Sequence, residues 1–152
     1  MDADEHAELA PEIYVQALPS AHEDLAQNKE GQYLHLGYVI TISDFRFYHS
    51  GDSVVYPGLI DKLSGMNIDM ALLPINGRDA YRRSRGVLGN MSLDEAYGLC
   101  SAAGIPHLVC HHFEMFSFNT TSRQKARTFL KTKPDKTNWL LPKIGVTYQF
   151  NF

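Results

Sequence analysis

Cysteine is scarce in this sequence: among 152 residues only Cys100 and Cys110 occur, and they make no Cys-x-x-Cys pair. Two thiols at that spacing exclude a disulfide framework and a cysteine-built zinc knuckle, and they suit a reducing compartment. Long apolar runs are also missing, since none approaches the ~20 residues that a membrane-spanning helix needs. The opening Met1-Asp2-Ala3-Asp4-Glu5-His6 is acidic where a secretory signal is basic, so the expected location is the cytoplasm. An excess of positive charge is absent too. The formal net charge of -3 and the isoelectric point near 6.1 give no global reason to bind nucleic acid or an anionic membrane. There is no internal repeat, no low-complexity tract, no phosphate-cradling glycine loop and no serine-histidine-acid arrangement.

What the chain does have is the composition of one folded domain spanning 1–152, with 44% hydrophobic and 20% charged residues. Alternation of period two marks a strand at residues 13–17, and the runs 38–42 and 45–48 flank Ser43-Asp44 as a hairpin. A helix is expected over 54–63, stopped by Gly65, and a buried strand over 68–73, ended by Pro74. Ser92-Leu93-Asp94-Glu95 has capping-box spacing and opens a helix that Gly104 closes. A strand over 105–110 follows, then a helix over 122–131 and a solvated loop over 131–136. Val146, Tyr148, Phe150 and Phe152 alternate as a last strand. Interleaved sheet and helix make the domain α/β or mixed α+β.

Three polar clusters each follow an expected strand: Ser20-Ala21-His22-Glu23, His49-Ser50-Gly51-Asp52-Ser53 and Cys110-His111-His112-Phe113-Glu114. Loops leaving a sheet are where sites are commonly built. Imidazole nitrogen with carboxylate oxygen suits zinc, manganese or iron at a hydrolytic site. Gly51 would let the backbone turn sharply and bring Asp52 close to such an ion. Asp52 could equally cap the helix expected from Val54. In an extended segment His111 and His112 point to opposite faces, so at most one of them faces a given site.

Arg78, Arg82, Arg83 and Arg85, with Tyr81 among them, form the one basic concentration, read either as a solvated loop or as a clamp for a phosphate or carboxylate. Met115, Phe116 and Phe118 read as packing that holds the histidine loop in preference to direct substrate contact. Cys110 reads as a small core residue.

The segments Tyr48-His49-Ser50-Gly51-Asp52, Leu72-Leu73-Pro74-Ile75-Asn76-Gly77-Arg78-Asp79, Gly89-Asn90-Met91 and His112-Phe113-Glu114-Met115-Phe116 occur in an order that resembles the metallo-β-lactamase-fold hydrolases. The nearest branch is similar to ascorbate-6-phosphate lactonase (UlaG-like), and the resemblance covers roughly residues 13–120. It implies an αββα sandwich of two mixed sheets, one or two divalent ions (zinc or manganese), and metal-activated water attacking an ester, lactone or phosphate-bearing small molecule, which is expected to be anionic. On that resemblance His22, Asp52 and His112 match metal-ligand positions, with Asp52 and His112 at the reacting centre. His111 is then a neighbour of the site. Asn76, Arg78 and Asn90 fall in loops that line the same edge, to touch substrate or order the ligands.

The family's first-half signature, His-x-His-x-Asp-His, is absent, and His6 and His35 lie outside any such pattern. The chain thus resembles the C-terminal half of the fold. A catalytic zinc site usually has about three protein ligands plus water, so weak metal binding and little hydrolysis are expected unless another chain completes the site. The alternative is a non-catalytic interaction subunit that complements a partner carrying the missing motif. Either way a half-sandwich leaves apolar sheet uncovered, which favours a homo-oligomer or a complementing chain.

Overall fold

The computed structural model describes residues 1–134 and 136–150. Strands β1 (His6–Ala10), β2 (Ile13–Pro19), β3 (Leu36–Ile42) and β4 (Phe45–His49) form an antiparallel meander. β5 (Met70–Pro74), β6 (His107–His111) and β7 (Asn138–Leu140) then add to β4 in parallel, giving one seven-stranded mixed sheet in chain order. Helix α1 (Leu59–Ser64) follows β4, α2 (Ala80–Ser84) and α3 (Leu93–Ala103) follow β5, and α4 (Arg123–Leu130) follows β6.

Register decides which face each side chain takes. Val39 pairs with Tyr48, Tyr48 with Ala71, and Ala71 with Leu108, so these share one face. Leu59 and Leu63 of α1, Ala96, Leu99 and Cys100 of α3, and Ala126 and Leu130 of α4 pack against that face in a single core. Each buried leucine contributes ~1.5–3 kcal/mol. On the opposite face Ile40, Phe47, Leu72, Val109 and Leu140 alternate with the core residues and are half-buried. No helix among the described residues sends its buried residues there.

The helix expected from Val54 begins only at Leu59. Pro57 disfavours helix at Tyr56, and Gly58 sits left-handed at φ 87 as the N-cap. Gly65 ends that helix as expected. α3 has the full capping box on Ser92 and Glu95 and a left-handed Gly104. Three elements carry weak sequence signals: the half-polar edge strand β1, the short β7, and α2, which buries no residue and is capped by Asp79. The expected last strand is corrected. Residues 146–150 are not strand, because β7 occupies the β6 edge and Gly145 turns the chain at φ 75; Phe152 lies outside the described residues. Among the described residues no helix is long and apolar enough to cross a membrane.

Candidate functional site

β2, β4, β5 and β6 all run in one direction, because β2 and β4 are each antiparallel to β3 and β5 and β6 continue parallel to β4. Their carboxyl ends therefore lie along one edge of the sheet, and the three polar clusters leave from that edge. The first two loops are tied to each other. Ser20 Oγ donates to the Ser50 carbonyl at 2.9 Å, the Ala21 N–H donates to Ser53 Oγ at 3.1 Å, and the Val54 N–H returns to the Ala21 carbonyl at 2.8 Å. Gly51 adopts φ 63, and a Cβ there would stand a tight 3.1 Å from the Leu36 carbonyl oxygen, so the turn favours glycine on both counts.

That turn leaves Asp52 half-exposed, with Oδ2 3.3 Å from His112 Nε2. Asp52 is therefore not the cap of α1, whose N-cap is Gly58 without a side-chain bond. His112 follows β6 at φ 54, in the left-handed region that non-glycine residues seldom adopt. The kink breaks the strand alternation, so His111 and His112 converge on one neighbourhood where an extended chain would have parted them. The His111 ring stacks on His49 at 4.8 Å between centroids. His111 Nε2 and His112 Nδ1 are buried without hydrogen-bond partners among the described residues, while His49 Nδ1 accepts the Gly51 N–H at 3.0 Å.

Burial, with the neighbouring His49 imidazole second, pushes His111 down to about 4, against a smaller upward pull from Asp52. Burial lowers His49 as well, again opposed by Asp52. Both rings are held neutral at pH 7, the state in which imidazole offers a lone pair. His49 stands in the second polar cluster of the sequence but was given no role of its own there; its place at the last position of a strand that ends on the site edge was the available signal.

His22 leaves the same edge but meets His35 edge-on at 5.7 Å. Among the described residues no three histidine, cysteine, aspartate or glutamate side chains converge closely enough to hold a metal ion, so His22 does not close a site with Asp52 and His112. The donors have the right chemistry for a divalent metal, and they are too few to enclose one.

Asn76, Arg78 and Asn90 are drawn together behind the edge. Asn90 Nδ2 donates to Asn76 Oδ1 at 3.1 Å and Asn76 Nδ2 to Asn119 Oδ1 at 2.9 Å, with both Asn76 and Asn90 buried. Arg82 also donates to Asn119 Oδ1, at 2.6 Å. Arg78 forms a two-pronged pair with Glu95 at 2.6 and 2.7 Å, which raises the guanidinium and lowers the carboxyl. Gly89 is packed against this loop so closely that a Cβ would fall 2.4 Å from the Gly77 carbonyl oxygen. Arg83 pairs with Glu23 at 2.8 Å, and α2 carries much of what sequence showed as a basic loop. Cys110 is fully buried, its thiol pushed up to about 12 by desolvation. Met115, Phe116 and Phe118 are exposed, which corrects their reading as packing residues.

Residues 1–113 match the family model described as the β-lactamase superfamily domain. A search of curated proteins finds no match. Among solved structures, the fold is similar to Igni18, a metallo hydrolase from the hyperthermophilic archaeon Ignicoccus hospitalis, with a TM-score of 0.76 and 18% identity over 100% of this chain and 60% of that one. It is also similar to isothiocyanate hydrolase from Delia radicum gut bacteria (TM-score 0.71, 18% identity, 95% of this chain and 57% of that one). The metallo-β-lactamase fold protein YhfI from Bacillus subtilis gives a TM-score of 0.63 at 20% identity, over 87% of this chain and 47% of that one. The chain thus spans about half to three-fifths of the length of these structures.

Proposed function

The chain belongs to the β-lactamase superfamily domain family, and on that premise we propose that it serves a metal-dependent hydrolase of the ascorbate-6-phosphate lactonase-like branch, corresponding to the C-terminal half of the fold. The observation that carries this is the meeting of Asp52 with His112 at 3.3 Å on the open edge of the sheet. Asp52 supplies a carboxylate oxygen and His112 an imidazole nitrogen, and His22 stands one loop away. A divalent zinc or manganese ion held there would lower the pKa of its water to near neutrality. The substrate class is an anionic ester, lactone or phosphate-bearing small molecule. Asn76, Arg78 and Asn90 hold the neighbouring loop in place through Asn119 and Glu95. The missing donors come from a segment or chain bearing His-x-His-x-Asp-His.

Dialysed against trace zinc or manganese, the isolated chain should hold well under one ion and hydrolyse 4-nitrophenyl acetate only weakly. One tightly held ion per chain would overturn the view that the donor set is incomplete, and uptake unaffected by His112→Ala would overturn the choice of donors.

A second reading, a non-catalytic subunit that completes a partner or a second copy, is favoured by the apolar sheet face that carries Ile40, Phe47, Leu72 and Val109 with no covering helix among the described residues. Concentration-dependent association in sedimentation, relieved by Ile40→Lys, supports it. A monomer at all concentrations that recruits no complementing chain counts against it.

A further inference from the structure

The loop after His112 presents aromatic rings to water on a fixed base. Phe116 is 47% and Phe118 64% exposed, although each ring would gain by burial at about 25 cal/mol per Å2. The base of the loop is pinned. The Glu114 N–H donates to Thr120 Oγ1 at 2.5 Å, the Arg123 N–H donates to Glu114 Oε1 at 2.7 Å, and the Asn119 N–H closes a turn on the Phe116 carbonyl at 3.2 Å. The Arg123 guanidinium lies 4.9 Å over the Phe113 ring, and the Asn119 side chain is locked to Asn76 and Arg82.

The exposed rings are set beside the polar pair. Phe116 lies 6.4 Å from the His112 ring, and Phe118 lies 5.8 Å from Phe116 at an interplanar angle of 32°. Both distances fall within the roughly 4.5–7 Å range of favourable ring contacts. A group held at His112 would lie beside the Phe116 ring, whose centroid is 6.4 Å from that of the imidazole. Since the loop base is already ordered, little entropy remains to be lost when a flat group settles on it.

We propose that Phe116 and Phe118 form the apolar wall of the substrate site, and that the substrate carries a flat apolar group, such as an aryl ring, next to the carbonyl or phosphoryl centre that reacts. This rests on the reading of Asp52 and His112 as the reacting edge. It narrows the substrate class from any small ester, lactone or phosphate to those with a planar apolar substituent.

The test holds the polar head constant and varies the apolar part, titrating the chain with benzamide and with acetamide while following the His112, Phe116 and Phe118 side-chain signals by NMR. Benzamide should bind at least ten-fold tighter and shift all three residues, and the double variant Phe116→Ala, Phe118→Ala should lose the preference. Both rings are exposed, so the variant is expected to fold. Equal affinity for the two amides, or a preference unchanged in the double variant, overturns the inference. Self-association that the double variant abolishes, without benzamide binding, overturns it in favour of a protein contact. Titration with excess zinc, read on the His112 signal in the wild type and in Asp52→Ala, separates the two claims. A benzamide preference without an Asp52-dependent zinc shift upholds an aryl-binding wall and sinks the hydrolase reading, and the reverse pattern does the opposite.

Discussion

Asp52 Oδ2 and His112 Nε2 meet at 3.3 Å although 60 residues of chain separate them, because two parallel-running strands deliver their loops to one edge. Asp52 remains half-exposed, and a pair so close to solvent contributes only about 0–1 kcal/mol to stability. Asp52→Ala should therefore leave the urea midpoint nearly unchanged while removing the proposed metal donor. A loss of several kcal/mol would mean that the carboxylate is structural.

Glu95 does two jobs with one carboxylate. Its Oε2 accepts the Ser92 N–H at 2.7 Å to complete the capping box, and both oxygens hold Arg78. Glu95→Ala removes the reciprocal half of the capping box, leaves the Ser92 cap bond to the residue 95 N–H in place, and takes the carboxylate from Arg78, so a destabilisation of about 1–2 kcal/mol is expected in urea melts. Ser92→Ala, which leaves Arg78 paired, should cost about 1 kcal/mol. An Arg78→Ala variant as stable as the wild type would show that the Arg78 pair contributes nothing.

The buried histidines set a pH dependence. The unfolded chain protonates His111 near its ordinary value of 6.5, whereas the folded protein resists protonation until about pH 4. The unfolded state binds more protons in that window, so stability is lost as pH falls through it, by up to ~3 kcal/mol from this one group. His49 is shifted in the same direction by burial. Urea midpoints between pH 7 and pH 4 should fall less steeply in His111→Asn than in the wild type. Parallel falls would contradict the assignment.

Local signals in the sequence carried most of the fold. The Ser92 and Glu95 spacing with Gly104 located α3 to the residue, and Ser43-Asp44 marked the hairpin between β3 and β4. Where the answer depended on tertiary context the sequence left alternatives open. Asp52 could be a cap or a donor until Gly58 proved to start α1. His112 could be placed only once its positive φ was known, since strand alternation puts it opposite His111. The pattern of Val146, Tyr148 and Phe150 suits a strand, but the β6 edge it would join was already filled by Asn138–Leu140. Phe116 and Phe118 have the hydrophobicity of core residues, and their exposure was not legible from that hydrophobicity.

Asp52 and His112 are proposed as metal donors in a site this chain holds incompletely. Zinc titration with the histidine side-chain signals followed by NMR tests it most directly. A saturable but weak shift of the His112 imidazole that disappears in Asp52→Ala is expected. A His112 signal that stays still in excess zinc, or moves equally in Asp52→Ala, would contradict it.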